Sequence, residues 1–172
     1  MKKNYLFVIL TCISFYGFSQ DCKYDKTSDN IMKSITAPFR VPLFEPLSSQ
    51  IRFRKIDTSY FIDVTYIKQD YKAIVVGTDN PVKITLVGGE SFILIPTAVV
   101  DGKMDENVLN NHHGRTTITI PTRISLDQLK KIAAIGISKI SFNTAGDDFI
   151  EEENKNKALN KNLMKCANCI MQ

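Results

Sequence analysis

The residues of this 172-residue chain with the most chemistry in them are four cysteines and two histidines. Cys166 and Cys169 form a C-x-x-C close to the end of the sequence. Redox pairs of that spacing work at a helix N-terminus, where the dipole lowers a thiol pKa. The apolar spacing before this pair predicts a helix that ends on it, so the dipole there has the wrong sign. A zinc ribbon needs a second such pair, and beyond the first twenty residues only Cys22 remains. His112 and His113 lie in a polar break at residues 101–115, with Asp101, Asp105 and Glu106 near them in sequence. They are the candidate metal ligands. Adjacent side chains of an extended chain point to opposite sides, however, which makes a poor bidentate pair. No serine stands in a G-x-S-x-G elbow, because GGESF at residues 88–92 lacks the last glycine. Phosphate-loop and dinucleotide fingerprints are missing too, so the reading calls for no catalytic residue and no cofactor. The run GDDFIEEE at 146–153 lacks the residue order of a calcium loop. Acids at the start of a helix would account for it through the dipole. Arg52, Arg54 and Lys55 make a small basic patch that reads as a solvated strand face.

The elements that must position these residues are written mostly as strands. Ile51 and Phe53 alternate with Arg52 and Arg54, and after a turn at Asp57 and Thr58 a second run alternates through Tyr60, Ile62, Val64 and Tyr66. Two such runs around a short polar break predict a β-hairpin. A third run, residues 73–76, ends at the turn signal GTDNP. Val82, Ile84 and Leu86, the turn VGGE, and a run from Phe92 to Val100 predict a second hairpin in which Gly88 and Gly89 take positive φ. Pro38, Pro42 and Pro46 confine residues 37–47 to an edge strand or an extended segment.

The best-defined unit spans residues 116–142. Ile118 and Ile120 alternate with threonines, and Pro121 is expected to end that strand's pairing. Ser125 and Gln128 form the S-x-x-Q of a capping box, with Ile124 and Leu129 placed as a hydrophobic staple. Leu126, Leu129, Ile132 and Ala133 give a buried helical stripe. Gly136 is expected to close the helix in the αL conformation, with Ile137 folding back as in a Schellman motif. Ile140 and Phe142 then share a face of the next strand. Residues 150–170 are expected to form the closing helix, with Leu159, Leu163, Cys166 and Ile170 on its inner stripe. The fold class is therefore α+β: a mostly antiparallel sheet of hairpins, about six to eight strands, with a short helix inserted before the last strand and a C-terminal helix.

Lys2 and Lys3, an apolar run from Tyr5 to Ile13, and small residues Gly17 and Ser19 predict a secretory signal peptide over residues 1–19, followed by one domain over 20–172. Thr11 just before Cys12 argues against a lipid anchor at that cysteine. No other stretch is apolar enough to span a bilayer as a helix. Loss of Lys2 and Lys3 with the leader lowers the formal charge from +4 to +2, which gives no electrostatic case for nucleic acid. In an exported chain a structural disulfide is the default use of cysteine. Cys22 is expected to pair with Cys166, since that thiol lies on the inner stripe of the closing helix. Cys169, three positions on and turned toward the edge of the stripe, is the alternative partner.

The exported start ending in FSQ, Asp21-Cys22, the hairpins, ISLDQLKKIAAIGISKISF and a closing helix with a late cysteine together resemble small exported proteins of Bacteroidota. The resemblance is an order of elements over most of the mature chain. It implies an envelope location, periplasmic or at the cell surface, and carries over no catalytic residue. Two functions are compatible with these features. One is a non-catalytic module that binds a protein or a small ligand in the cell envelope. The other is a metal-dependent hydrolase using the loop at 101–115.

Overall fold

The computed structural model describes residues 31–40, 49–68, 73–105 and 114–172. The expected leader, Cys12, Cys22, His112 and His113 lie outside these residues. In chain order the elements are β1 (Ile31–Lys33), β2 (Ala37–Pro38), β3 (Gln50–Ile56), β4 (Ser59–Lys68), β5 (Val75–Val76), β6 (Val82–Leu86), β7 (Ser91–Leu94), β8 (Val100–Asp101), β9 (Lys103–Asp105), β10 (Arg115–Ile124), α1 (Leu126–Ile135), β11 (Ile137–Asn143), β12 (Phe149–Glu153) and α2 (Lys157–Ile170). All the strand pairings among the described residues are antiparallel. With two helices among the described residues, this is an α+β fold. No helix there is long and apolar enough to cross a membrane.

Both predicted hairpins form. β3 and β4 pair from Ile56↔Ser59 to Gln50↔Thr65, and β6 pairs with β7 through a turn in which Gly88 and Gly89 have φ of 110° and 95°. A larger sheet runs β1-β3-β4-β10-β9, with β2 on the edge of β3, and a smaller one runs β12-β11-β6-β7. Strand alternation sends Ile51, Phe53, Ile62, Val64, Ile118 and Ile120 inward from the larger sheet, and Val82, Ile84, Leu86, Ile140 and Phe142 inward from the smaller. All are buried in one continuous core. The rings of Tyr66 on β4 and Phe142 on β11 meet edge to face, with centroids 6.0 Å apart, a favoured aromatic geometry. The two sheets are stitched along one side by a bridge between Pro96, just past β7, and Thr122 of β10. On the other side, Arg40 reaches Glu152 of β12 at 3.0 Å. The helices pack on each other, and α2 also lies against β2 and β3.

Several expectations change. Pro121 does not end its strand: it sits in the middle of β10 opposite Asp63. Its carbonyl accepts from the N–H of Thr97, so its backbone polar side faces away from β4, and the missing donor costs that ladder nothing. Residues 149–153 form β12 instead of opening the closing helix. The inserted helix is thus followed by two strands, not one. The Glu-rich run is a strand, and the first turn of α2 holds no acid. Its N-cap is Asn156, whose Oδ1 accepts from the N–H groups of Ala158 and Leu159 at 2.9 and 3.3 Å. The break at 101–115 is interrupted by β8, β9 and the start of β10.

The α1 unit is close to its sequence signature. Ser125 Oγ accepts from the Gln128 N–H at 3.2 Å, and Gln128 Oε1 accepts from the Ser125 N–H at 2.9 Å, which completes the capping box. Leu129, Ile132 and Ala133 are buried, whereas Leu126 is exposed. Gly136 has a positive φ of 79°, but with ψ of −178° it lies outside αL, in a region essentially restricted to glycine. The Ile137 N–H does not close a Schellman loop. It donates to Asn160 Oδ1 of α2 at 3.0 Å, so the closing helix ties down the start of β11 just past α1.

Candidate functional site

The patch of Arg52 and Arg54 is not a free basic surface. Ile62 and Val64 point into the core, so Asp63 between them points to the opposite face, where β3 places both arginines. Arg54 donates to the two Asp63 oxygens, both at 2.7 Å, and Arg52 donates to Oδ2 at 3.3 and 3.4 Å. Arg54 also covers the Phe61 ring at 5.2 Å. Asp63 is only 3% exposed beneath this cover. The cluster is a structural charge lock, and it leaves no carboxylate open to substrate.

β12 builds a different arrangement. It is the edge strand of the smaller sheet, and its alternation puts Phe149, Glu151 and Glu153 on the exposed side. Two depressions run along it. One, about 470 Å³, is lined by Arg40, Glu151, Glu153, Asn154, Lys155, Asn156 and Leu159. The other, about 390 Å³, shares Arg40 and Glu151 with the first and continues past Phe149 to Tyr66, Lys68 and Asp148. Each glutamate of the strand has a basic partner: Lys139 to Glu151 at 2.9 Å, Arg40 to Glu152 at 3.0 Å, and Lys155 to Glu153 at 3.1 Å. The hydrogen bond to Glu151, then the charge of that carboxylate, holds the Lys139 ammonium above the usual lysine range, with a smaller contribution from Glu153. A raised value means that this link is complete below the ordinary lysine pKa and is lost only as pH rises through the raised one. The Lys139 ammonium therefore stays charged across neutral pH.

Asn154 sits where β12 turns toward α2. Its backbone N–H donates to the Ser138 carbonyl at 2.7 Å, and its Oδ1 accepts from the Asn156 N–H at 2.9 Å. The residue is 8% exposed, and its Nδ2 has no hydrogen-bond partner. A buried donor left unmade costs about 1–3 kcal/mol. Such an exception in a native fold calls for an explanation.

A third depression, about 850 Å³, lies between the β3–β4 turn, the end of β7 and the start of α1. Ile93, Ile95 and Leu126 are exposed along it, beside Lys55 and Arg123. Its polar groups are partly engaged: Arg123 donates to Ser59 Oγ at 3.1 Å, and Lys55 lies over the Tyr60 ring.

The sequence-derived candidates divide as follows. His112 and His113 lie outside the described residues, so their proposed metal role stays where the sequence left it. Among the described residues no group of three or more His, Cys, Asp or Glu side chains is placed to hold a metal. Cys166 and Cys169 are both on α2 and both 3% exposed, so Cys169 is not on the rim of the inner stripe as expected. Cys22, the expected partner, is outside the described residues. The chain matches no family model, no curated protein and no solved structure. What the fold and its surface define is an α+β domain with a polar groove along an edge strand.

Proposed function

We propose that this protein is an exported, non-catalytic binding module of the cell envelope, and that the groove along β12 is its ligand site. The observation that carries the reading is the groove itself: two depressions that meet at Arg40 and Glu151 along an edge strand, beside carboxylates that already have basic partners. Such a site is organised to hold a ligand. It offers no nucleophile with a base beside it, which acyl or phosphoryl transfer would need. The competing reading, a metal-dependent hydrolase built on His112 and His113, makes a different prediction for metal content. Elemental analysis of the purified, untagged full-length protein is expected to find no stoichiometric transition metal. Zinc at near one per chain, lost in the double variant His112→Ala, His113→Ala, would overturn the binding-module reading.

The same reading places the protein in an oxidising compartment, and we propose a disulfide from Cys22 to Cys169. This moves the bond from Cys166, the partner expected from the helical stripe, to its neighbour. Cys169 is a half-cystine, and it is as buried as Cys166. Closing nearly the whole mature chain into one loop would stabilise it by roughly 5 kcal/mol in a chain-entropy account. No lysine or arginine separates Cys166 from Cys169, so tryptic mapping without reductant must be read by fragmenting the linked peptide. A Cys22–Cys169 link is expected. Recovery of Cys22 as a free thiol, or joined to Cys166, would contradict it.

A further inference from the structure

We propose that β7 is a docking edge, to which an extended, acidic and aliphatic peptide segment of a partner protein adds as a further strand of the smaller sheet. The proposal is independent of the β12 groove, which lies at the opposite edge of that sheet. Backbone direction comes first. The Leu86 N–H donates to the Glu90 carbonyl at 2.8 Å, and from there the register runs from Thr85↔Ser91 to Val82↔Leu94. Bonded and non-bonded pairs alternate along an antiparallel ladder. Phe92 and Leu94 therefore direct their N–H and C=O groups to β6, and those of Ser91 and Ile93 point out of the sheet. Among the described residues no strand of this sheet lies beyond β7. β10 is bridged to this stretch only past the strand, at Pro96, and then gives way to α1. The edge opens on the depression between β7, the β3–β4 turn and the start of α1.

The side chains give the second argument. Native sheet edges are commonly guarded by charges. β12 carries three glutamates, whereas β7 shows solvent Ile93, 63% exposed, followed by Ile95 at 54%. Leu126 of α1 is exposed along the same depression. Aliphatic side chains of an added strand would cover this surface. Charge gives the third argument and makes the partner acidic. Lys55, Arg123 and Asp57 line the depression, and Lys83 stands opposite Ile93 on β6. Among the described residues none of the four has an opposite charge within ion-pair distance. Glu90, just before β7, is already held by Lys131. Three unmatched cations against one carboxylate leave a positive surplus beside an apolar edge. A second copy of this edge would bring like charges together, whereas a strand that interleaves aliphatic residues with carboxylates matches both features. In strand addition the main chain supplies affinity and the side chains supply specificity.

The test is a ¹⁵N-¹H titration of the full protein with a capped hexapeptide that alternates valine and glutamate. The same peptide with lysine for glutamate is the control. The glutamate peptide is expected to give saturable shifts at residues 91–95 and 123–128, and the lysine peptide none. At saturation, hydrogen exchange of the Ser91 and Ile93 N–H groups is expected to slow, because the added strand takes up those donors. Ile93→Asp, which places a guarding charge on an exposed position, is expected to weaken binding roughly tenfold. Equal binding of the lysine peptide would overturn the acidic partner. Binding that leaves Ser91 and Ile93 exchange unchanged, or that persists undiminished in Ile93→Asp, would overturn strand addition at β7. So would shifts confined to 149–156, or silence of residues 91–95 at millimolar peptide. Shifts at 91–95 that depend on protein concentration without peptide would assign the edge to a second copy and overturn the proposal.

Discussion

Gly136→Val is expected to destabilise the domain by about 3 kcal/mol or more, combining the strain of a glycine-only backbone region with a steric clash. The backbone at Gly136 has φ 79° and ψ −178°, where a β-branched side chain has no comfortable rotamer. A Cβ there would also run into the side-chain amide of Asn160. That amide is not free to retreat, since its oxygen holds the Ile137 N–H at 3.0 Å. Displacing it would release the start of β11 and pull on α2 together. The other end of α1 sets the scale for comparison: Ser125→Ala removes one capping interaction and should cost about 1 kcal/mol. Urea melts of the two variants with equal m-values would measure both. If Gly136→Val loses no more than Ser125→Ala, the contact between Asn160 and the end of α1 is not a fixed part of the fold.

The second large effect is expected at Asp63. Asp63→Ala should cost about 3 kcal/mol, the lower end for breaking a buried ion pair, because the Arg52 side chain is 37% exposed and partly solvated already. Arg54 is the more severe loss: its side chain is 19% exposed and held by two 2.7 Å bonds. Removing the carboxylate leaves that guanidinium against Phe61 with no counter-charge. Asp63→Asn keeps the shape and one acceptor oxygen, and should retain part of the stability. Thermal melts at neutral pH and low salt would rank the three proteins. An Asp63→Ala domain that melts within a degree of the parent would show that the arginines find solvent as easily as they find Asp63.

What could be read from the sequence was local or periodic. The capping box needs only Ser125 and Gln128 three residues apart, and the structure shows both of its bonds. Each predicted hairpin combined alternation with a turn whose residues suit it. The positive φ at Gly136 followed from the end of an apolar stripe, but its ψ did not, because that is set by Asn160, 24 positions later. β12 was hidden because Phe149 and Ile150 followed by three glutamates shows no alternation. The segment becomes a strand by pairing with β11, a tertiary choice that overrides local pattern. Pro121 misled for a related reason: whether a missing donor matters depends on which neighbour its side of the backbone faces. The Asp63 lock was within reach. Arg52 and Arg54 alternate with Ile51 and Phe53, Asp63 alternates with Ile62 and Val64, and pairing the two strands puts all three polar groups on one face. The groove was not legible. Its two depressions meet at Arg40 and Glu151, residues far apart in sequence that come together only once the chain has folded. The one available hint was Phe149, Glu151 and Glu153 at strand spacing.

The most direct measurement is elemental analysis of the untagged full-length protein, repeated on the double variant His112→Ala, His113→Ala. The account predicts no stoichiometric transition metal in either protein. Zinc at near one per chain in the parent, lost in the variant, would contradict it.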